Sequence, residues 1–129
     1  MISTYLNYLG WGAKGWGDEF FFGFLMTLKI SCCAYALAVL FGFLGSAAKT
    51  SPNKLSRAIA GAYTTVVRAL PESLMVLIVY FTVAGLAERA LVTAGLVDKG
   101  FQFNPFWAAV FALAFVGGAF MTEVLRAAR

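Results

Sequence analysis

Hydrophobic positions along the chain gather into three long runs. From Phe20 to Ala48 every residue is apolar or small except Lys29 and a few hydroxyl side chains. At a helical rise of about 1.5 Å per residue this run crosses a hydrocarbon core of about 30 Å with length to spare, which predicts a first transmembrane helix over 20–48. Ser73 to Ala87 is too short to do the same, so the second crossing must reach back to about Val66. The pattern there predicts a lead-in and helix over 58–87, with its membrane part at about 66–87. The third run predicts a helix over 106–125, introduced by Asn104 as N-cap and Pro105 in the first turn.

The polar stretches between the runs set an orientation. Residues 49–57 read KTSPNKLSR; Pro52 and Asn53 mark a turn, and Lys49, Lys54 and Arg57 have no acid among them. A short loop with that bias stays in the cytoplasm, so the N-terminus is expected outside with the first helix running inward. In 88–105 the charges of Glu88, Arg89, Asp98 and Lys99 cancel, as expected of an external loop, and Leu86 to Val97 has the pattern of a short interfacial helix. Residues 1–19 interleave Tyr5, Tyr8, Trp11 and Trp16 with glycines; Phe101, Phe103, Phe106 and Trp107 form a second aromatic cluster at the same face. Amphipathic rings of this kind lie at the headgroup level. The glycines make no phosphate loop, since no strand precedes them and no Lys-Ser/Thr follows. Residues 126–129 begin a further cytoplasmic loop.

Composition sharpens this reading to an all-α membrane protein. Of 129 residues, 61% are hydrophobic and 12% charged, and the mean hydropathy is +0.82. A soluble domain carries about a quarter charged residues, and this chain has too little polar surface to cover itself in water. The net charge of +4 is scattered or sits at segment ends, which does not suggest nucleic acid. No secretory signal is visible. With no histidine, no nucleophile–base arrangement and no phosphate loop, nothing supports an enzyme, and no metal or cofactor site is expected. Cys32 and Cys33 are adjacent within an apolar run and read as small packing residues.

What remains informative are charges at membrane depth, because such residues face a bundle interior, a cavity or one another. They are Lys29, Arg68, Glu72, Glu123 and Arg126. Arg68 and Glu72 are spaced to pair on a continuous helix, but Pro71 disfavours the helical conformation at Leu70, so a kink or a fresh helix start is expected there. A pair between Arg68 and Glu123 on neighbouring helices is geometrically allowed. Gly42 and Gly45, and later Gly117 and Gly118, give thin surfaces suited to close helix packing.

Several of these residues together carry a resemblance. Gly23, Thr27, Leu28 and Ser31, then Tyr63 to Thr65 with Arg68 and Pro71, then Gly118, Ala119, Phe120, Glu123 and Arg126 follow one another in a familiar order. In these motifs the chain resembles the permease subunits of bacterial polar amino acid ABC importers, particularly the histidine/lysine/arginine/ornithine and opine type. The family usually has glycine after each of the two arginines, where this chain has Ala69 and Ala127. Its members continue past the position of Arg129 into a Glu-Ala-Ala loop that docks on the ATPase, then two more membrane helices.

The resemblance implies the N-terminal three helices of a five-helix permease fold in the bacterial inner membrane, with the N-terminus periplasmic. It implies an importer for polar amino acids, basic ones by that type. The partners it implies are a second permease subunit, a cytoplasmic ATPase dimer that binds the ATP, and a periplasmic amino-acid-binding protein. Arg68, Pro71, Glu72, Glu123 and Arg126 are then the candidates for the substrate pathway and its gating. The competing expectations are a stand-alone three-helix membrane subunit, a small multidrug-type exporter, or a truncated, non-functional permease fragment.

Overall fold

The structure, a computed structural model, describes residues 1–129 and contains helices only. They are α1 (Ile2–Tyr8), α2 (Gly17–Lys49), α3 (Lys54–Ala69), α4 (Glu72–Thr93) and α5 (Pro105–Ala127). By length and composition, α2, α4 and α5 are each able to cross a membrane. Two compact units divide the chain at Cys32 and Cys33.

In the first unit, Met1–Cys32, α1 is followed by a glycine-rich turn. The Trp16 amide donates to the Tyr8 carbonyl at 2.8 Å and the Gly17 amide to that of Gly10 at 3.2 Å. Gly12 has φ of 105°, a conformation that a side chain would strain. The Trp11 and Phe21 rings meet at 5.5 Å, and Lys29 is exposed on the helix that follows.

In the second unit, Cys33–Arg129, α5 is the central element. Its buried residues include Ala108, Val110, Ala112, Ala114, Val116 and Gly118, one at every second position. Two residues along an α-helix are about 200° apart, so alternate burial means that opposite faces are both covered. Residues 33–49 of α2 cover one side. There Ala34, Ala38, Gly42 and Ser46 recur every fourth residue and are all buried. A Cβ placed on Gly42 would sit 2.6 Å from the Met121 Cγ, one on Gly45 would overlap the Thr122 side chain, and one on Gly118 would come within 2.7 Å of the Phe41 Cβ. Gly117 lies against Ala38. Lipid tails are as apolar as leucine, so close contact between small residues has to supply the attraction that burial from water supplies elsewhere.

The other side of α5 is covered by α3 and α4, which a two-residue break makes separate helices. Leu70 is extended, with φ −105° and ψ 156°, and Pro71 caps α4 with φ −53° and ψ 133°. Proline disfavours helical backbone at the residue before it, and this ends α3 at Ala69. The break turns the chain so that Val67 of α3 and Met75 of α4 reach the same cluster with Val116 and Ala119 of α5.

The break also revises the boundaries expected from sequence. A membrane helix over 66–87 would have borrowed the end of α3. Instead α4 begins at Glu72 and continues through Glu88 and Arg89 to Thr93, and its 22 residues extend about 33 Å. Leu86 to Thr93, expected to belong to a separate interfacial helix, is therefore the last part of α4. Its stop is Gly95, with φ of 70°; the Leu96 amide bonds back to the Leu91 carbonyl and the Gly95 amide to that of Val92, both at 3.1 Å. The starts of α3 and α5 are capped alike, by Asn53 and Asn104, whose side chains accept from Leu55 N and Phe106 N at 2.9 Å.

Gly118→Val is expected to destabilise the chain by about 1–3 kcal/mol through overpacking against Phe41 and Tyr63. Gly61 has open space around it, and Gly61→Ala should be neutral or stabilise by up to about 1 kcal/mol. Thermal unfolding in detergent, followed by circular dichroism, compares the two; equal melting temperatures would refute tight packing at α5.

Candidate functional site

Where α2 ends, it meets α3 and the last turns of α5 around a cleft of about 460 Å³. The wall residues are Lys49 from α2, Thr64, Thr65, Arg68 and Ala69 from α3, and Glu123 and Arg126 from α5. Four-residue and three-residue steps along α2 from Gly42 through Ser46 put Lys49 on the face that packs against α5. The same stepping along α5 puts Glu123 and Arg126 one turn below Gly118 to Thr122.

Charge at this junction is paired across helices. The Lys49 ammonium donates to one carboxylate oxygen of Glu123, and the Arg126 Nε donates to the other at 3.0 Å. The Lys49 and Glu123 side chains are only 15% and 18% exposed, whereas Arg126 is 53% exposed. Little water reaches the Lys49–Glu123 pair, so losing either partner would strand the other's charge. The Arg68 guanidinium has no carboxylate partner; it lies over the Phe120 ring, 5.6 Å from the centroid. Arg129 Nη1 donates to the Thr50 hydroxyl at 3.3 Å.

Above the charges lies a layer of buried hydroxyls, one from each helix. Thr64 Oγ1 donates to the Gly61 carbonyl at 3.2 Å and Thr122 Oγ1 to that of Gly118 at 2.7 Å. Ser46 Oγ is buried without a partner. One turn from Thr64's layer, the Tyr63 hydroxyl donates to the Phe115 carbonyl while the two rings meet edge to face at 4.9 Å. Burial pushes the Tyr63 phenol up to about 12, so it remains a protonated donor at neutral pH.

Of the residues singled out from sequence, the structure gathers Arg68, Glu123 and Arg126 around this one cleft. Pro71 and Glu72 are exposed and do not line it. Arg68 and Glu72 are on different helices, since the break at Leu70 and Pro71 falls between them. Glu123 takes Lys49 and Arg126 as partners rather than Arg68. Gly42, Gly45, Gly117 and Gly118 all lie in the contact of α2 with α5. Sequence reasoning missed Lys49, counting it only as a loop charge; its phase with Gly42 and Ser46 was the available signal. Tyr63 was noticed as part of a motif, but its bond to a backbone carbonyl has no sequence signature.

The nopaline transport system permease protein of Agrobacterium fabrum is 38% identical to this chain over 124 residues, covering 95% of the chain and 52% of the relative. The octopine transport system permease protein of Rhizobium meliloti is 32% identical over 125 residues, with 96% and 52% covered. The histidine/lysine/arginine/ornithine transport system permease protein of Escherichia coli is 34% identical over 108 residues, with 82% and 46% covered. The homologues of this chain are permease subunits of amino acid ABC transport systems. The chain spans about half the length of these relatives, matching their N-terminal part. Those permeases are transport components rather than enzymes, and this chain, with three helices long and apolar enough to cross a membrane, is a multi-pass membrane protein. No protein-family model and no solved structure matches the chain.

A double-mutant cycle tests the ion pair. Lys49→Met and Glu123→Gln should each destabilise by about 1–3 kcal/mol, and the double variant by less than their sum. Strict additivity of the melting shifts in detergent would show that the pair is not coupled.

Proposed function

We propose that this chain forms part of the translocation pathway of an ATP-driven importer for polar, chiefly basic, amino acids. The observation that carries the proposal is the similarity to relatives named for moving nopaline, octopine and the basic amino acids; the cleft at the three-helix junction supplies the charged contacts, not the substrate class. Arg68 lies in the last turn of the amphipathic, basic α3, and the break at Leu70 and Pro71 separates it from the apolar α4. Two extended residues between helices packed on a common cluster make a hinge about which α3 could turn while α4 stays in the membrane. Arg68, Glu123 and Arg126 act in this reading as the charged contacts near the cytoplasmic end of the pathway. Pro71 and Glu72 belong to the hinge itself.

The full assembly in this proposal pairs the chain with a second permease subunit. A cytoplasmic ATPase dimer supplies the ATP chemistry, and a periplasmic binding protein delivers the amino acid. The chain lies in the inner membrane with its N-terminus periplasmic, supported by the uncompensated Lys49, Lys54 and Arg57 between α2 and α3 and the balanced charges after α4. The site's own charge favours no cationic substrate, because its one acid, Glu123, is already held by two cations.

In the complete transport system, Arg68→Ala should lower binding-protein-driven uptake roughly three- to tenfold, the worth of one cation–π contact and charge at a partly desolvated site. Uptake and coupled ATP hydrolysis at wild-type levels would remove Arg68 from the mechanism. For orientation, a fluorescent protein fused after Arg129 should fluoresce and alkaline phosphatase at the same position should be inactive. The reverse pattern would invert the topology.

A further inference from the structure

The cleft carries more positive charge than its acid neutralises. Three cations, Lys49, Arg68 and Arg126, face one carboxylate, Glu123, and both oxygens of that carboxylate are already occupied. Lys49 is spent on the pair, but Arg68 has no acidic partner and Arg126 uses only its Nε. Two guanidinium groups thus line one concavity with N–H donors unassigned, beside the exposed hydroxyl residue Thr65. Guanidinium presents paired donors in a fixed plane that matches the oxygens of a phosphate. The Phe120 ring lies on one side of the Arg68 guanidinium, 5.6 Å away at its centroid.

Beside the cleft, the Phe120 ring that meets Arg68 is 41% exposed. A free anion has no use for such a border, whereas a lipid brings acyl chains that would cover it. Basic residues also concentrate at this end of the unit, where Lys54 and Arg57 have no acid beside them in sequence. Clusters of this sign near a membrane surface draw in anionic headgroups, and basic pockets between helices hold them.

We propose that this cleft binds the phosphate of an anionic phospholipid, gripped by Arg68 and Arg126, with an acyl chain lying along Phe120. The lipid would supply the counter-charge that Glu123 alone does not. This stands apart from the transport reading, because it is measured as binding without uptake.

The test uses the chain extracted in neutral detergent and native mass spectrometry with added phosphatidylglycerol or phosphatidylcholine. Phosphatidylglycerol should bind selectively, and Arg68→Gln and Arg126→Gln should each weaken it about tenfold, the worth of one charge-assisted hydrogen bond. Lys54→Gln, outside the cleft, should leave it unchanged. Should Arg68→Gln fail to fold, Arg126→Gln alone decides, since that side chain is half exposed and its loss is tolerable. Equal binding of the two lipids, or undiminished phosphatidylglycerol binding in Arg126→Gln, would overturn the proposal. Displacement of the lipid by inorganic phosphate at equal concentration would also overturn it and assign the cleft to the free ion.

Discussion

Everything in the larger unit depends on how thin α5 is. A helix covered on two opposite faces cannot carry bulky residues on both and still let its neighbours approach, so alanine, glycine and valine fill its buried positions. Inside a bilayer this matters more than in water, because there is no hydrophobic gain from merely bringing helices together. Backbone-to-backbone closeness is then what holds α2 against α5, and it is set by Gly42, Gly45, Gly117 and Gly118. The polar groups follow from it. Only because the helices come this near can Lys49 reach Glu123, and Tyr63 reach a backbone carbonyl on α5.

The second constraint is the proline. Without an extended residue at Leu70, α3 and α4 would run on as one helix, with Val67 and Met75 spread about 12 Å along its axis instead of turned together onto Val116 and Ala119. The same break separates Arg68 from Glu72 and frees Arg68 for the cleft and the Phe120 ring. One backbone restriction thereby decides both how the core closes and which charges meet.

Much of the fold was legible. Three apolar runs give three long helices, since length and composition fix a crossing element almost without regard to detail. The Asn104 start was readable because capping is local chemistry, whereas Asn53, read only as a turn residue, also caps a helix. The error lay at the end of the middle helix. Treating Glu88 and Arg89 as loop charges shortened α4 and forced its start back to Val66, whereas charged residues prolong a helix readily where they stand outside the apolar core. For the cleft, sequence supplied Arg68, Glu123 and Arg126 as charges near helix ends, but not their partners. Apart from Glu123 and Arg126, three residues apart on α5, pairing depends on helix rotation and on contacts between residues far apart in the chain, and neither is written in local spacing. Lys49 was hidden for a related reason: among three loop cations it looked like an orientation signal rather than a member of a packed face.

The ion pair between Lys49 and Glu123 joins residues 74 positions apart. At synthesis rates of about 5–20 residues per second, roughly 4–15 s separate the emergence of the lysine from that of its acid. Throughout that interval α2 is already long enough to be in the membrane, and its terminal ammonium has only water and headgroups for company. The pairing is thus a clock as well as a clasp: α2 cannot be locked in place until the end of α5 has been made, and every helix between them has to find its position first.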